Sequence, residues 1–110
     1  MKIGLFRKSV ERLLETLPPK LLSKLNGGVS VFAAKKTDGD CLVMGEYIED
    51  PALGSLVALY WGSFAEVLED ASPEEWAEEI EETLLHEFRH HVESLAGVDY
   101  LGEEDEREFL

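Results

Sequence analysis

Residues 72–96 read SPEEWAEEIEETLLHEFRHHVESLA, the longest helical pattern in the chain. Ser72 at the N-cap, Pro73 at the first helical position and Glu75 three residues after the serine form a capping box, which is typical of a helix start. Acidic residues crowd the first turns, where the helix dipole favours them. Gly97 is a typical helix stop. The pattern therefore predicts a helix over residues 73–96.

The predicted helix has one apolar and one polar side. On the polar side, His86, His90 and Glu93 fall within about 60° of one another. The opposite side must face the core, because a half-apolar helix is stable only when its apolar stripe is covered. The predicted core residues of this helix are Trp76, Ala77, Ile80, Leu84, Phe88 and Leu95.

The polar side carries the pattern His-Glu-x-x-His (HExxH) at residues 86–90. Two histidines four residues apart on a helix project from one face, about one turn apart, and can bind one Zn²⁺ ion. Glu87 between them can act as the general base toward a metal-activated water. The competing interpretation is an ordinary solvated polar face, because Glu79 and Glu82 lie on the same stripe. We expect a zinc site with His86 and His90 as ligands.

A catalytic zinc site needs a third protein ligand and one open position for water. Glu93 lies one turn after His90, and a histidine and a carboxylate three residues apart can share a metal. His91 lies about 100° around the helix from His90 and cannot easily face the same ion. We therefore expect His91 behind the ligands or at the edge of the cleft. The further candidates for the third ligand are Asp99, Glu103, Glu104 and Asp105.

The chain before this helix predicts two short helices, three strands and a short helix or turn. Asp38-Gly39 lies in a short loop between the first two strands and predicts that they form a hairpin. Tyr47, Tyr60 and Tyr100 could each stabilise an oxyanion, although half-buried packing is the commoner role. The predicted elements cover residues 5–17, 20–25, 29–34, 41–48, 56–61 and 64–68.

Length and composition indicate a single compact domain over residues 1–110, with 45% hydrophobic residues and a net charge of −14. This charge argues against nucleic acid and anionic membranes as partners. No apolar run is long enough to span a bilayer and the start lacks a secretory pattern, so we expect a cytoplasmic protein. The single cysteine, Cys41, excludes an internal disulfide and a Cys-rich zinc site.

The charge is distributed unevenly along the chain. Residues 1–36 carry eight basic and two acidic residues, whereas residues 37–110 carry 22 acidic residues and two arginines. Solubility, and docking of the basic N-terminal part onto the acidic remainder, is the simpler explanation. The sharper alternative is a cleft that favours basic peptides.

The motifs resemble those of small bacterial zincin-like proteins described as minimal zinc metallopeptidases. In many of these the pattern is HExxHHxxGxxD followed by Glu-Arg, with the aspartate as the third zinc ligand. Residues 86–91, HEFRHH, match the first part, and residues 102–107, GEEDER, resemble the second. The resemblance thus implies Asp105 as the third ligand. It extends weakly upstream, where residues 44–47, MGEY, resemble the family's Leu-Gly-x-Tyr stretch.

The chain departs from the family pattern after His91. The segment 92–101 is inserted between the two halves of the motif, and Glu93 occupies the position of the shorter motif's turning glycine. Glu93 therefore stays open as the alternative third ligand beside Asp105.

The resemblance implies a minimal zincin-like α+β fold. Its N-terminal helices and a small, mainly antiparallel sheet of three or slightly more strands would pack on the C-terminal HExxH helix. It implies a zinc-dependent metallopeptidase in which a peptide or protein substrate lies extended along an edge strand. Two alternatives remain: a protein-interaction module that binds zinc without catalysis, and a metal-free interaction domain. The sequence leaves the substrate and the oligomeric state open.

Overall fold

The computed structural model describes residues 1–99, with the side chains of residues 1–96. The architecture is α+β: two helices precede the strands, and the longest helix follows them. The elements are α1 (Ile3–Glu15), α2 (Pro19–Ser23), β1 (Gly28–Phe32), β2 (Lys36–Asp38), β3 (Cys41–Val43), β4 (Gly45–Asp50), β5 (Gly54–Tyr60), α3 (Trp61–Val67) and α4 (Pro73–Asp99).

The larger sheet has three strands in the order β1-β5-β4. The central strand, β5, pairs in parallel with β1 and in antiparallel with β4. Its residues Val57, Ala58 and Leu59 are completely buried, as expected for a strand with neighbours on both sides. The sheet is therefore mixed, and the prediction of a mainly antiparallel sheet is only partly confirmed.

The pairing predicted for the first two strands is wrong. A hairpin does form at this point, with Gly39 and Asp40 as its turn and a positive φ of 62° at Gly39. It joins only the short strands β2 and β3, in a separate sheet. The predicted strand 41–48 is two strands, β3 and β4, which meet at Met44. Turn chemistry indicates only local pairings, and the pairing of β1 with the distant β5 depends on burial of the whole sheet.

Strand β4 lies at the edge of the larger sheet. The backbone N–H of Tyr60 donates a 2.9 Å hydrogen bond to the carbonyl of Met44, and the strand register continues from this pair. Because bonding alternates along an antiparallel pair, Glu46 and Ile48 also bond to β5. The backbone N–H and C=O groups of Gly45, Tyr47 and Glu49 consequently face the open edge.

Helix α4 begins with the predicted capping box. The backbone N–H of Glu75 donates to Ser72 Oγ, and the N–H of Ser72 donates to Glu75 Oε1, both at 3.2 Å. The helix continues through Gly97 to Asp99, beyond its predicted end, because a glycine weakens a helix without necessarily ending it. Although α4 has 27 residues, none of the helices in residues 1–99 is long and apolar enough to cross a membrane.

The core lies between α1, α3, α4 and β5. Phe6 contacts Phe64 edge-to-face, with ring centroids 4.9 Å apart, and both rings lie near Trp76. On α4, Trp76, Ile80, Leu84 and Phe88 are buried as predicted. The two other predicted core residues differ: Ala77 is exposed and Leu95 is only partly buried.

Two glycines provide a matched test of how closely α3 packs against residues 33–35. A Cβ atom at Gly62, in α3, would collide with the Lys35 backbone nitrogen and lie 2.8 Å from the Ala33 carbonyl oxygen, whereas one at Gly4, in α1, would meet nothing within 4 Å. We expect Gly62→Ala to lower the free energy of unfolding by about 1–3 kcal/mol. Gly4→Ala should leave it unchanged or raise it by up to about 1 kcal/mol. Urea denaturation of both variants measures the difference. Equal stability of the two variants would contradict the close approach of α3 to residues 33–35.

Candidate metal centre

His86 and His90 lie one turn apart on the exposed side of α4. Their Nε2 atoms are 3.3 Å apart, and the two rings are nearly perpendicular, with centroids separated by 4.8 Å. The helix thus directs the same nitrogen of both imidazoles toward one point, as the HExxH spacing predicts.

The spacing of the two nitrogens fits a zinc ion. With Zn–N bonds of about 2.0–2.1 Å and tetrahedral angles, two imidazole nitrogens on one ion lie about 3.3–3.4 Å apart. The same arrangement permits a hydrogen bond from one neutral ring to the other. The distance between the two nitrogens is therefore the one expected for two zinc ligands on a single ion.

Residues 1–99 contain no group of three or more His, Cys, Asp or Glu residues that could hold a metal. Asp105, the third ligand implied by the family motif, lies outside the described residues, as do the alternatives Glu103 and Glu104. Asp99 ends α4, and its side chain is not described. The described part of the chain thus supplies two of the three predicted ligands.

Glu93 lies beside the other nitrogen of His90. Its Oε1 atom is 3.4 Å from His90 Nδ1, on the side of the ring away from the Nε2 atom that faces His86. A carboxylate in this position favours a proton on Nδ1 and leaves the Nε2 lone pair free for a metal. In this arrangement Glu93 contacts His90 at the nitrogen that does not face His86.

Glu87 is the buried member of the motif, with 7% of its surface exposed. Burial raises the pKa of its carboxyl group above the ordinary value, and the charge of Glu46 acts in the same direction. The two neighbouring histidines oppose this rise in the pKa, and so does the backbone N–H of Tyr47, which is directed at the carboxylate. A carboxylate in such surroundings is a stronger base than one in water.

Two grooves meet at Glu87, between α4 and the open edge of β4. The strand runs alongside the helix in the same direction, with Tyr47 opposite His91 and Glu49 opposite Ser94. The first groove, of about 540 Å³, and the second, of about 660 Å³, both include Glu87 in their walls. The first groove is also lined by Met44, Gly45, Glu79, Glu82, Thr83 and His86. The second is also lined by Glu46, Tyr47, Glu49, His90, Glu93 and Ser94.

Both grooves are acidic. No lysine or arginine of the described chain lines either groove, whereas five glutamates besides Glu87 do. Glu46 is partly neutralised, since Lys36 Nζ lies 2.5 Å from its Oε1 atom and the Tyr60 hydroxyl donates a 2.7 Å hydrogen bond to it. The walls on both sides of Glu87 therefore favour positive charge.

His91 is completely buried behind the histidine pair, not at the edge of the cleft. Its Nε2 atom lies 3.2 Å from the Leu21 carbonyl oxygen, and its Nδ1 atom lies 3.0 Å from the Tyr47 hydroxyl. A carbonyl can only accept, so Nε2 carries the hydrogen and Nδ1 accepts from Tyr47 in the neutral ring. Burial lowers the pKa of His91, which favours this neutral form.

This contact was not predicted, although both side chains lie in motifs that the sequence analysis singled out. The second histidine of HEFRHH and the tyrosine of MGEY are the signals that could have revealed it. The sequence could not indicate the contact with the Leu21 carbonyl oxygen, because every residue has a backbone carbonyl. The hydroxyls of Tyr47 and Tyr60 both have protein partners, and Tyr100, the third oxyanion candidate, lies outside the described residues.

Comparisons with known proteins agree with these motifs. A family model described as a zincin-like metallopeptidase matches residues 41–107. Among solved structures, a conserved hypothetical protein from Thermo thermophilus is similar, with 38% sequence identity and a TM-score of 0.75. The similarity covers 87% of this chain and 98% of that chain. A search of curated proteins finds no match.

Proposed function

The chain belongs to the zincin-like metallopeptidase family, and on that premise we propose that it is a zinc-dependent peptidase. One observation carries the proposal. The Nε2 atoms of His86 and His90 are 3.3 Å apart, and the buried carboxylate of Glu87 lies beside them where two grooves meet. In this proposal residues 1–110 form a single zincin-like domain with α4 as its active-site helix.

His86 and His90 would hold the zinc ion through Nε2, with Asp105 as the third ligand. Asp105 lies within the matched segment 41–107. Glu93 is the alternative third ligand, but its contact with His90 Nδ1 supports a role in orienting that ring. A bound zinc ion would act as a Lewis acid toward the scissile carbonyl and would acidify the attacking water.

Glu87 acts as the general base in this proposal. It takes a proton from the attacking water and passes it to the leaving amine. Two observations support the assignment. The residue as a whole is only 7% exposed, and burial raises the pKa of its carboxyl group, so it accepts a proton more readily than an exposed glutamate.

The open edge of β4 is the proposed substrate platform. Gly45 and Glu49 present backbone N–H and C=O groups along this edge, and Tyr47 presents its C=O group, because its N–H faces Glu87. An extended peptide can pair with such groups as an added strand. The edge forms a wall of both grooves. A peptide on it would therefore pass Glu87.

The first prediction concerns zinc. Protein purified without an affinity tag should contain about one zinc ion per chain by elemental analysis. His86→Ala and His90→Ala should lose it, because each removes a ligand, whereas Glu82→Ala, one turn earlier on the same stripe, should retain it. Asp105→Ala should weaken zinc binding more than Glu93→Ala, for which the loss of an orienting partner predicts about 10- to 100-fold. Retention of zinc by both histidine variants would contradict the assigned ligands.

The second prediction separates a peptidase from a zinc-binding module without catalysis. Glu87→Gln should reduce cleavage of a peptide library by at least about 100-fold, because the amide cannot accept the proton, while the zinc content stays the same. Glu78→Gln, at an exposed position of α4 outside both grooves, is the matched control and should cleave like the unmodified protein. Full activity of Glu87→Gln would disprove its role as the base. If the unmodified protein binds zinc but cleaves no peptide, the result would favour a zinc-binding interaction module without catalysis.

The third prediction follows from the acidic grooves. We expect peptides with lysine or arginine flanking the scissile bond to be preferred. Glu79→Lys/Glu82→Lys should lower kcat/KM for such peptides about tenfold, the equivalent of ~1.4 kcal/mol, and less at high salt. Glu69→Lys/Asp70→Lys makes the same charge change at exposed positions outside the grooves and should have little effect. Equal losses in the two double variants would show that only net charge matters.

A further inference from the structure

Tyr47 contacts two residues of α4 with two different groups. Its hydroxyl donates a 3.0 Å hydrogen bond to His91 Nδ1, and its backbone N–H is directed at the carboxylate of Glu87. Glu87 and His91 are four residues apart and therefore neighbours on one helix face. One residue of the edge strand is thus hydrogen-bonded to the helix one turn beyond the proposed general base, and its backbone N–H faces that base.

The two contacts act in different directions. In a strand the side chain stands roughly perpendicular to the sheet, whereas the backbone N–H lies in its plane. The hydroxyl contact therefore sets the distance between β4 and α4 perpendicular to the sheet. The N–H lies in the plane of the sheet and points from the open edge toward Glu87. Hydrogen bonds to β5 hold only the opposite side of β4.

The orientation of the His91 ring is restrained by its burial and by contacts at both ring nitrogens. The ring is completely buried, its Nε2–H donates to the Leu21 carbonyl in α2 at 3.2 Å, and Phe88 packs against it with ring centroids 6.1 Å apart. Both ring nitrogens are in use, so rotating the ring would leave buried polar groups without partners, at a cost of about 1–3 kcal/mol each. A fixed ring fixes the hydroxyl that it binds.

We propose that Tyr47 and His91 form a positioning pair, which holds the edge of β4 at a set distance from Glu87. His91 is then a positioning residue and not a metal ligand, and the Tyr47 backbone N–H orients the carboxylate. The kinetic part of this inference rests on the proposed function. The positioning of the strand does not.

The test is Tyr47→Phe, which removes only the hydroxyl. Loss of one buried hydrogen bond should speed hydrogen exchange at the amide of residue 47 about five- to tenfold, with unchanged exchange at Val57 and Leu59 in the central strand. Cleavage should show a kcat lowered at least about fivefold with little change in KM, and the zinc content should not change. Thr16→Val is the control, because it removes a hydroxyl that donates to the Leu13 carbonyl at the end of α1, outside both grooves. It should alter neither kcat nor exchange at residue 47.

Each outcome decides the proposal. Unchanged exchange at residue 47 in Tyr47→Phe would overturn the positioning pair. Uniformly faster exchange across the sheet would also overturn it, since it indicates general destabilisation. Faster local exchange with an unchanged kcat would overturn its catalytic part. If the unmodified protein cleaves no peptide, the proposed function fails, and the exchange measurement still tests the pair.

Discussion

The burial of one stripe of α4 is the constraint on which the rest of the structure depends. Trp76, Ile80, Leu84 and Phe88 are almost completely enclosed, and these side chains fix the rotation of the helix about its axis. A rotation of about 100°, one residue along the helix, would bring charged side chains into the core. The free energy of the core therefore also sets the direction of every polar side chain on the helix.

The observed orientation of α4 about its axis places its two polar stripes in different surroundings. Glu87 and His91 face β4 and are buried, whereas His86 and His90 remain exposed. Glu87, the proposed base, is thus largely removed from solvent, while the histidine pair stays accessible, His86 from the first groove and His90 from the second. Neighbouring positions of one motif reach such different environments because successive helical residues point about 100° apart.

The sequence predicted the features that depend on local chemistry. The capping box of α4, four of its six predicted core residues and the closeness of His86 to His90 were expected from spacing. The pairing of β1 with β5 was not, since it depends on burial across distant parts of the chain. The end of α4 was misplaced because glycine is a weak signal within a strongly helical segment. The Tyr47–His91 contact joins two motifs 44 residues apart, a separation over which periodicity carries no information.

The open edge of β4 has a further consequence, for encounters between copies of the protein. Unpaired backbone groups on an edge strand attract any extended chain, and natural proteins usually blunt such edges with charge, bulges or cover. The proposed function requires this edge to admit a peptide, and such an edge cannot be covered. Here Glu46 and Glu49 place negative charge along it, and a second copy would bring the same charges, within a chain of net charge −14. Like-charge repulsion thus opposes edge-to-edge pairing of two copies, and it would not oppose the approach of a cationic chain.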